Sequence, residues 1–205
     1  TCPQYFWLHD DRYVGENAEH FILQPPLRAE NVAVDLLDVW QTISAVSTDH
    51  CDYSLAQKQE FTEFTRTPGG LPGLETSFQL TYTYGVHQAA QRRDAGESVS
   101  PLPLTALARL MSTEPAQLFG LYPRKGALLP GSDADIMIYD PTPEVTLHAA
   151  DQHTIGGYLP YEGITVQGSV RTVISRGEVL VTEGEIFGDP GRGNFLKGEP
   201  FKPLS

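Results

Sequence analysis

The stretch VSTDHCDYS, residues 46–54, sets a carboxylate (Asp49), an imidazole (His50) and a thiol (Cys51) side by side after a β-branched apolar run. A carboxylate there can serve chemistry, or it can simply end a strand and turn the chain, as Asp often does. The residues alone leave both readings open. Cys51 reads as a small buried side chain, because no basic neighbour in the sequence would activate it. His9, His20, His87, His148 and His153 have no metal-ligand spacing among them and read as surface or packing residues. GSDAD (131–135) spaces two acids one residue apart and looks superficially like another metal site.

The elements that must position Asp49 follow from patterning. CPQYFWL (2–8) is an aromatic-rich strand candidate, with Pro3 at its entry. Pro25 and Pro26 force an extended backbone in FILQPPLR. Residues 29–40 place Val32, Leu36, Leu37 and Trp40 on one stripe at helical spacing, and ISAVSTD (43–49) predicts a second strand. Strand, helix, strand is the order of a βα unit in an α/β fold. Beyond Asp49 comes a long Gly- and Pro-containing polar segment of the kind that usually carries function. Helices are predicted over 74–86 and over 103–112, the latter with Leu104, Leu107 and Met111 on one face. A further short helix opens at Glu114 and Pro115 and stops at Gly120, and residues 89–100 read as an exposed, mobile insertion. From about Leu121 the chain becomes short strands and turns, with SRGEV a hairpin candidate, which suggests a β-sandwich-like module.

Composition narrows the partners. The chain has 205 residues, enough for about one domain plus a smaller companion. A formal charge of −12 argues against nucleic acid and against an anionic membrane surface, leaving small, neutral substrates. Two cysteines do not make a disulfide framework and fit a reducing, cytoplasmic setting. No run approaches the roughly 18 apolar residues of a membrane span. The start, TCPQYFWL, has no leader pattern and is expected to lie inside a strand.

TCPQY, PPLR, STDHC, PGGLPGLE, LFGLYPRKGALLPGSDADIMIYDP and ISRGEVL occur in an order and spacing that resemble the dihydropyrimidinase and D-hydantoinase branch of the amidohydrolase superfamily, from Thr1 to about Phe201. The resemblance implies the C-terminal portion of a cyclic amidohydrolase of α/β class. Residues 1–120 would be the last βα units of a TIM-type (β/α)8 barrel, and residues 121–205 the C-terminal strands of an accessory β-sandwich with a tail. It also implies a role for Asp49, at the end of the eighth barrel strand, where catalysis is housed in such barrels. There Asp49 would bind one of two divalent metals, zinc being the expected ion. It would also take the proton from the attacking hydroxide and return it to the departing amide nitrogen. The reaction implied is hydrolytic opening of a cyclic amide or ureide, a dihydropyrimidine or hydantoin, to an N-carbamoyl amino acid. His50 would support Asp49. Backbone groups at Gln24 and Gly69 would bind substrate, Gln24 standing where the family usually has Ser and Gly69 where it usually has Asn; ring preference would then differ. GSDAD becomes a structural turn entering a strand, and Arg124 and Lys125 of YPRKG a solvated turn.

The resemblance also says what this stretch lacks. The family's His-x-His pair, its bridging carboxylated Lys, two further His and an oxyanion-stabilising Tyr would all lie before Thr1. The chain is therefore expected to be one piece of a larger enzyme, inactive alone, completed by the N-terminal portion and assembled as a homotetramer through tails such as GNFLKGEPFKPLS. Two alternatives remain beside it. One is a non-catalytic dihydropyrimidinase-related scaffold, against which the retained Asp49 argues; the other is allantoinase.

Overall fold

The computed structural model describes residues 1–32 and 35–200. The aromatic run 2–8 is not a strand. Pro3 opens a single helical turn, α1 (Gln4–Trp7), because its fixed φ (−53°) suits a first helical turn. That turn sends Phe6 into one apolar cluster and Leu8 into another, with Trp7 packed against both.

The stripe predicted over 29–40 resolves into a 3-10 turn (Glu30–Val32) and α2 (Leu36–Val39); Ala33 and Val34 lie outside the described residues. Asp35 caps α2, its side chain accepting the Leu37 N–H, and Leu36 is buried. The predicted strand 43–49 forms no multi-residue ladder, and Asp49 at its end is left-handed. The segment's backbone bonds go to three separate places. Thr1 donates its amino group to the Ala45 carbonyl and accepts the Ser47 N–H, the pattern of a one-residue parallel bridge. Val46 donates to the Leu110 carbonyl at 3.0 Å, and His50 bridges to Leu71 in parallel sense.

Two long helices support this segment. The first runs without a break through α4 (Ser77–Tyr82), a π-turn (Thr83–Gln88) and α5 (Ala89–Asp94). Residues 89–94 of the predicted insertion are thus helical, because Ala89 continues the buried face. The second runs through α6 (Leu104–Ala108), a π-turn (Arg109–Thr113) and α7 (Glu114–Leu118). The predicted break before Glu114 is absent, since Thr113 keeps helical angles. Each π-turn frees a carbonyl for an outside donor: Gly85 accepts the Leu102 N–H at 2.7 Å, and Leu110 accepts that of Val46. Between Asp49 and these helices lies α3 (Leu55–Lys58), one turn closed by a reciprocal Ser54–Gln57 capping box.

The C-terminal part forms one antiparallel sheet in the order β1 (Ile136–Thr146), β2 (Thr165–Ser175), β3 (Glu178–Thr182), β4 (Glu185–Ile186). The SRGEV hairpin is present, its Arg176–Gly177 turn having φ of 52° and 81°, as a type I′ loop requires. Pro141 and Pro143 cannot donate to the ladder, so β1 bulges there, and the Gln167 amide donates to the freed Pro141 and Thr142 carbonyls. The sheet docks on α4 through the Tyr139 ring, which meets Phe78 and Tyr82 and rests on Gly168. Leu147, Tyr161 and Val166 share a core with Leu8, Leu23, Leu27, Leu71 and Leu80. The two parts of the chain are joined by that core.

GSDAD and YPRKG meet each other. Lys125 lies 2.9 Å from Asp133 and also pairs with Asp135, whose other oxygen accepts the Arg176 N–H. The hydrogen bond from Lys125 holds the Asp133 carboxyl below its ordinary range; the same ammonium lowers Asp135, although partial burial opposes it.

Two predictions follow from these contacts. Gly70 has φ 155°, and a Cβ there would sit 2.6 Å from the Cys51 Cβ, whereas one on Gly69 would meet nothing nearer than 3.7 Å. Gly70→Ala is expected to cost about 1–3 kcal/mol in chemical denaturation, and Gly69→Asn less than about 0.5 kcal/mol. A depressed carboxylate contributes stability above its unfolded pKa of about 3.9 and loses it as pH falls through the lower folded value. Lys125→Met is therefore expected to melt below the parent at neutral pH, with the two melting curves converging under strongly acid conditions.

Candidate functional site

Asp49 sits in the left-handed region at φ 48°, a conformation costly for a residue with a Cβ and tolerated best by Asn and Asp. The reason is local. The Thr48 hydroxyl accepts the His50 N–H at 3.2 Å, closing a turn around Asp49, while bridges to Thr1 and Leu71 fix the chain on either side. The Asp49 carboxylate is left exposed, near enough to help push up the Cys2 thiol and the Tyr5 phenol, for both of which burial is the larger cause.

His50 turns away to a different task. Its Nδ1 accepts the N–H groups of Gly73 and Leu74, at 3.2 and 3.3 Å, so a neutral ring carries its proton on Nε2. It lines a cavity of about 480 Å³ together with Asp52, Glu75 and His153. His153, read from sequence as a surface residue, is exposed and bonds Glu75 at 2.6 Å. Asp52 ties the Asp49 segment to the loop 154–156 by accepting from Thr154, Ile155 and Gly156.

Gln24 and Gly69 are brought together. A Cβ on Gly69 would lie 3.7 Å from the Leu23 Cα and 3.8 Å from the Gln24 Cγ, and both residues line a cleft of about 950 Å³ with Tyr13, Phe61 and Phe64. The Gln24–Pro25 peptide is cis. Tyrosines hold the first loop: Tyr5 donates to the Pro25 carbonyl, and Tyr13 accepts the Leu27 N–H. Asp49 lines neither this cleft nor the cavity beside His50.

The residue that sequence reasoning missed is Lys58. It has no exposed surface, and its ammonium donates to the carbonyls of Ile22 (2.9 Å) and Pro68 (2.8 Å), above the Tyr53 ring. Burial brings its pKa down to about 8. Nothing in the sequence signals this: the capping box SLAQ directly before it fixes the start of the turn and not the burial of the lysine.

Among the described residues, no three His, Cys, Asp or Glu side chains converge as a metal site requires. Asp49 alone does not make a metal centre. Cys2 and Cys51 are free. Among the same residues no helix is long and apolar enough to cross a membrane.

The profile of the amidohydrolase family matches residues 29–180. A D-phenylhydantoinase of Escherichia coli O81 is 40% identical over 210 residues, covering 99% of this chain and 42% of the relative. The chain thus spans less than half the length of the curated relatives it matches. A crystal structure of a D-hydantoinase superposes with a TM-score of 0.90 at 30% identity, over 99% of this chain and 43% of the other. The dihydropyrimidinase of Brevibacillus agri gives 0.90 at 30% identity, over 100% of this chain and 43% of its own. With a profile that covers most of the chain, and solved relatives of the same fold along its whole length, the chain belongs to the amidohydrolase family.

Proposed function

We propose that this chain is the C-terminal portion of a metal-dependent cyclic amidohydrolase that opens a dihydropyrimidine or hydantoin ring to an N-carbamoyl amino acid. The observation that carries the reading is the 40% identity to a D-phenylhydantoinase over 99% of this chain. Residues 1–120 would supply the end of the barrel and residues 121–205 the accessory strands. The N-terminal portion of the same enzyme would bring the remaining ligands for two divalent ions, zinc in the first instance. Homotetramer formation is part of the proposal; the described tail bonds its own chain, the Glu199 N–H donating to the Gly120 carbonyl.

A metal centre, when complete, would polarise the scissile carbonyl. The residues of this chain would carry the proton and bind the ring. The Asp49 carboxylate accepts the proton of the attacking hydroxide as the hydroxide oxygen bonds the carbonyl carbon. It then delivers that proton to the ring nitrogen as the C–N bond breaks, so one group serves as base and acid. The held backbone of residue 49 supports this role, because it fixes the point from which the carboxylate reaches the reacting atoms. The polar backbone at Gln24 and Gly69, on one cleft, suits a planar ring bearing alternating N–H and C=O groups. His50 supports the site indirectly, by fixing the loop 72–74 that follows Gly69.

In the complete enzyme, Asp49→Asn is expected to lower kcat for ring opening by about 10²-fold or more and to reduce bound divalent metal. Full activity in that variant would contradict the assignment. A wild type inert toward every cyclic ureide would instead favour the scaffold alternative. Gly69→Asn restores the side chain usual in the family and is expected to change the ratio of kcat/KM for hydantoin over dihydrouracil while leaving the fold intact.

A further inference from the structure

The two loops that carry Gln24 and Gly69 are separate in sequence, and three observations show what ties them together. The Ile22 carbonyl accepts both the Gly70 N–H (2.9 Å) and the Lys58 ammonium (2.9 Å). The same ammonium reaches the Pro68 carbonyl at 2.8 Å, one residue before Gly69. Lys58 has no exposed surface, so its charge is out of reach of bulk water and these two carbonyls accept from it.

We propose that Lys58 is a positioning residue that clamps the two substrate loops into one unit and so sets the distance between the Gln24 and Gly69 backbones on which ring binding depends. The proposal rests on the cyclic-ureide reading of the cleft. Its chemistry is simple: an ammonium has three donors and no acceptor, which suits bridging two carbonyls that cannot bond each other. The capping box Ser54–Gln57 fixes the backbone from which the side chain starts. The Tyr53 ring faces the ammonium at 5.9 Å and closes its remaining side. Lys58 touches no reacting atom and acts only through the loops.

The test is steady-state kinetics of Lys58→Met in the complete enzyme with hydantoin and dihydrouracil. Methionine keeps much of the stem and removes the donors. A clamp predicts KM raised about tenfold or more for both rings, with kcat changed much less, because two bonds that order the binding loops are gone. A purely structural lysine predicts the converse, fewer folded molecules with kcat lowered and KM unchanged, and that result would overturn the proposal. If the wild type opens no cyclic ureide, the reading of the cleft fails, and hydrogen–deuterium exchange still decides the clamp: residues 22–27 and 67–73 should exchange faster in Lys58→Met than in the wild type while the sheet 136–186 is unchanged, and equal protection of the loops would overturn it. Should Lys58→Met fail to fold, Lys58→Arg, which keeps the charge and donors on a bulkier head, is read in the same way.

Discussion

Backbone hydrogen bonds at both ends of residues 45–51 hold Asp49, and much of the fold can be understood from what those bonds require. Val46 needs a carbonyl where a regular α-helix would have none to spare, and the π-turn at Arg109–Thr113 frees that of Leu110. Thr1 bridges one end, and Leu71, buried in the principal core, bridges the other. Because Leu71 belongs to the cluster that also holds Tyr161 and Val166, the sheet is coupled through packing to the segment bearing the carboxylate. Left-handed backbone at residue 49 persists because its surroundings over-determine it.

The parts of the fold legible in the sequence are those governed by local chemistry. Arg176–Gly177 announces a hairpin because Gly tolerates the positive φ that a two-residue turn needs, and the apolar spacing over 74–86 announces a helix. Where tertiary contacts decide, sequence misleads. Aromatic residues 5–7 favour a strand by propensity, yet Pro3 and two waiting apolar clusters make a helical turn there. Ala89 sits in a polar run that looks like a surface insertion and is completely buried. Neither π-turn is visible in advance, since each depends on a donor distant in sequence.

The candidate site shows the same division. Asp49 stood out by residue type and by its place after a β-branched run, and Gln24 and Gly69 by family resemblance; the cleft shared by the last two needed the fold. Lys58 was invisible because lysines in polar segments are nearly always solvated, and only the carbonyls of Ile22 and Pro68 explain its burial. On the proposed reading the chain supplies orientation and one proton-carrying carboxylate, while the remaining ligands come from the portion of the enzyme that its relatives have and this chain does not span.

The most direct test of this account is native mass spectrometry of the purified protein beside its denatured mass, with metal content determined on the same sample. The account predicts that this chain is found joined to, or tightly associated with, a segment carrying the histidine and lysine ligands, with about two divalent ions for each complete unit. A folded chain that is alone yet binds two ions and opens cyclic ureides would contradict it. So would a complete enzyme that binds no metal.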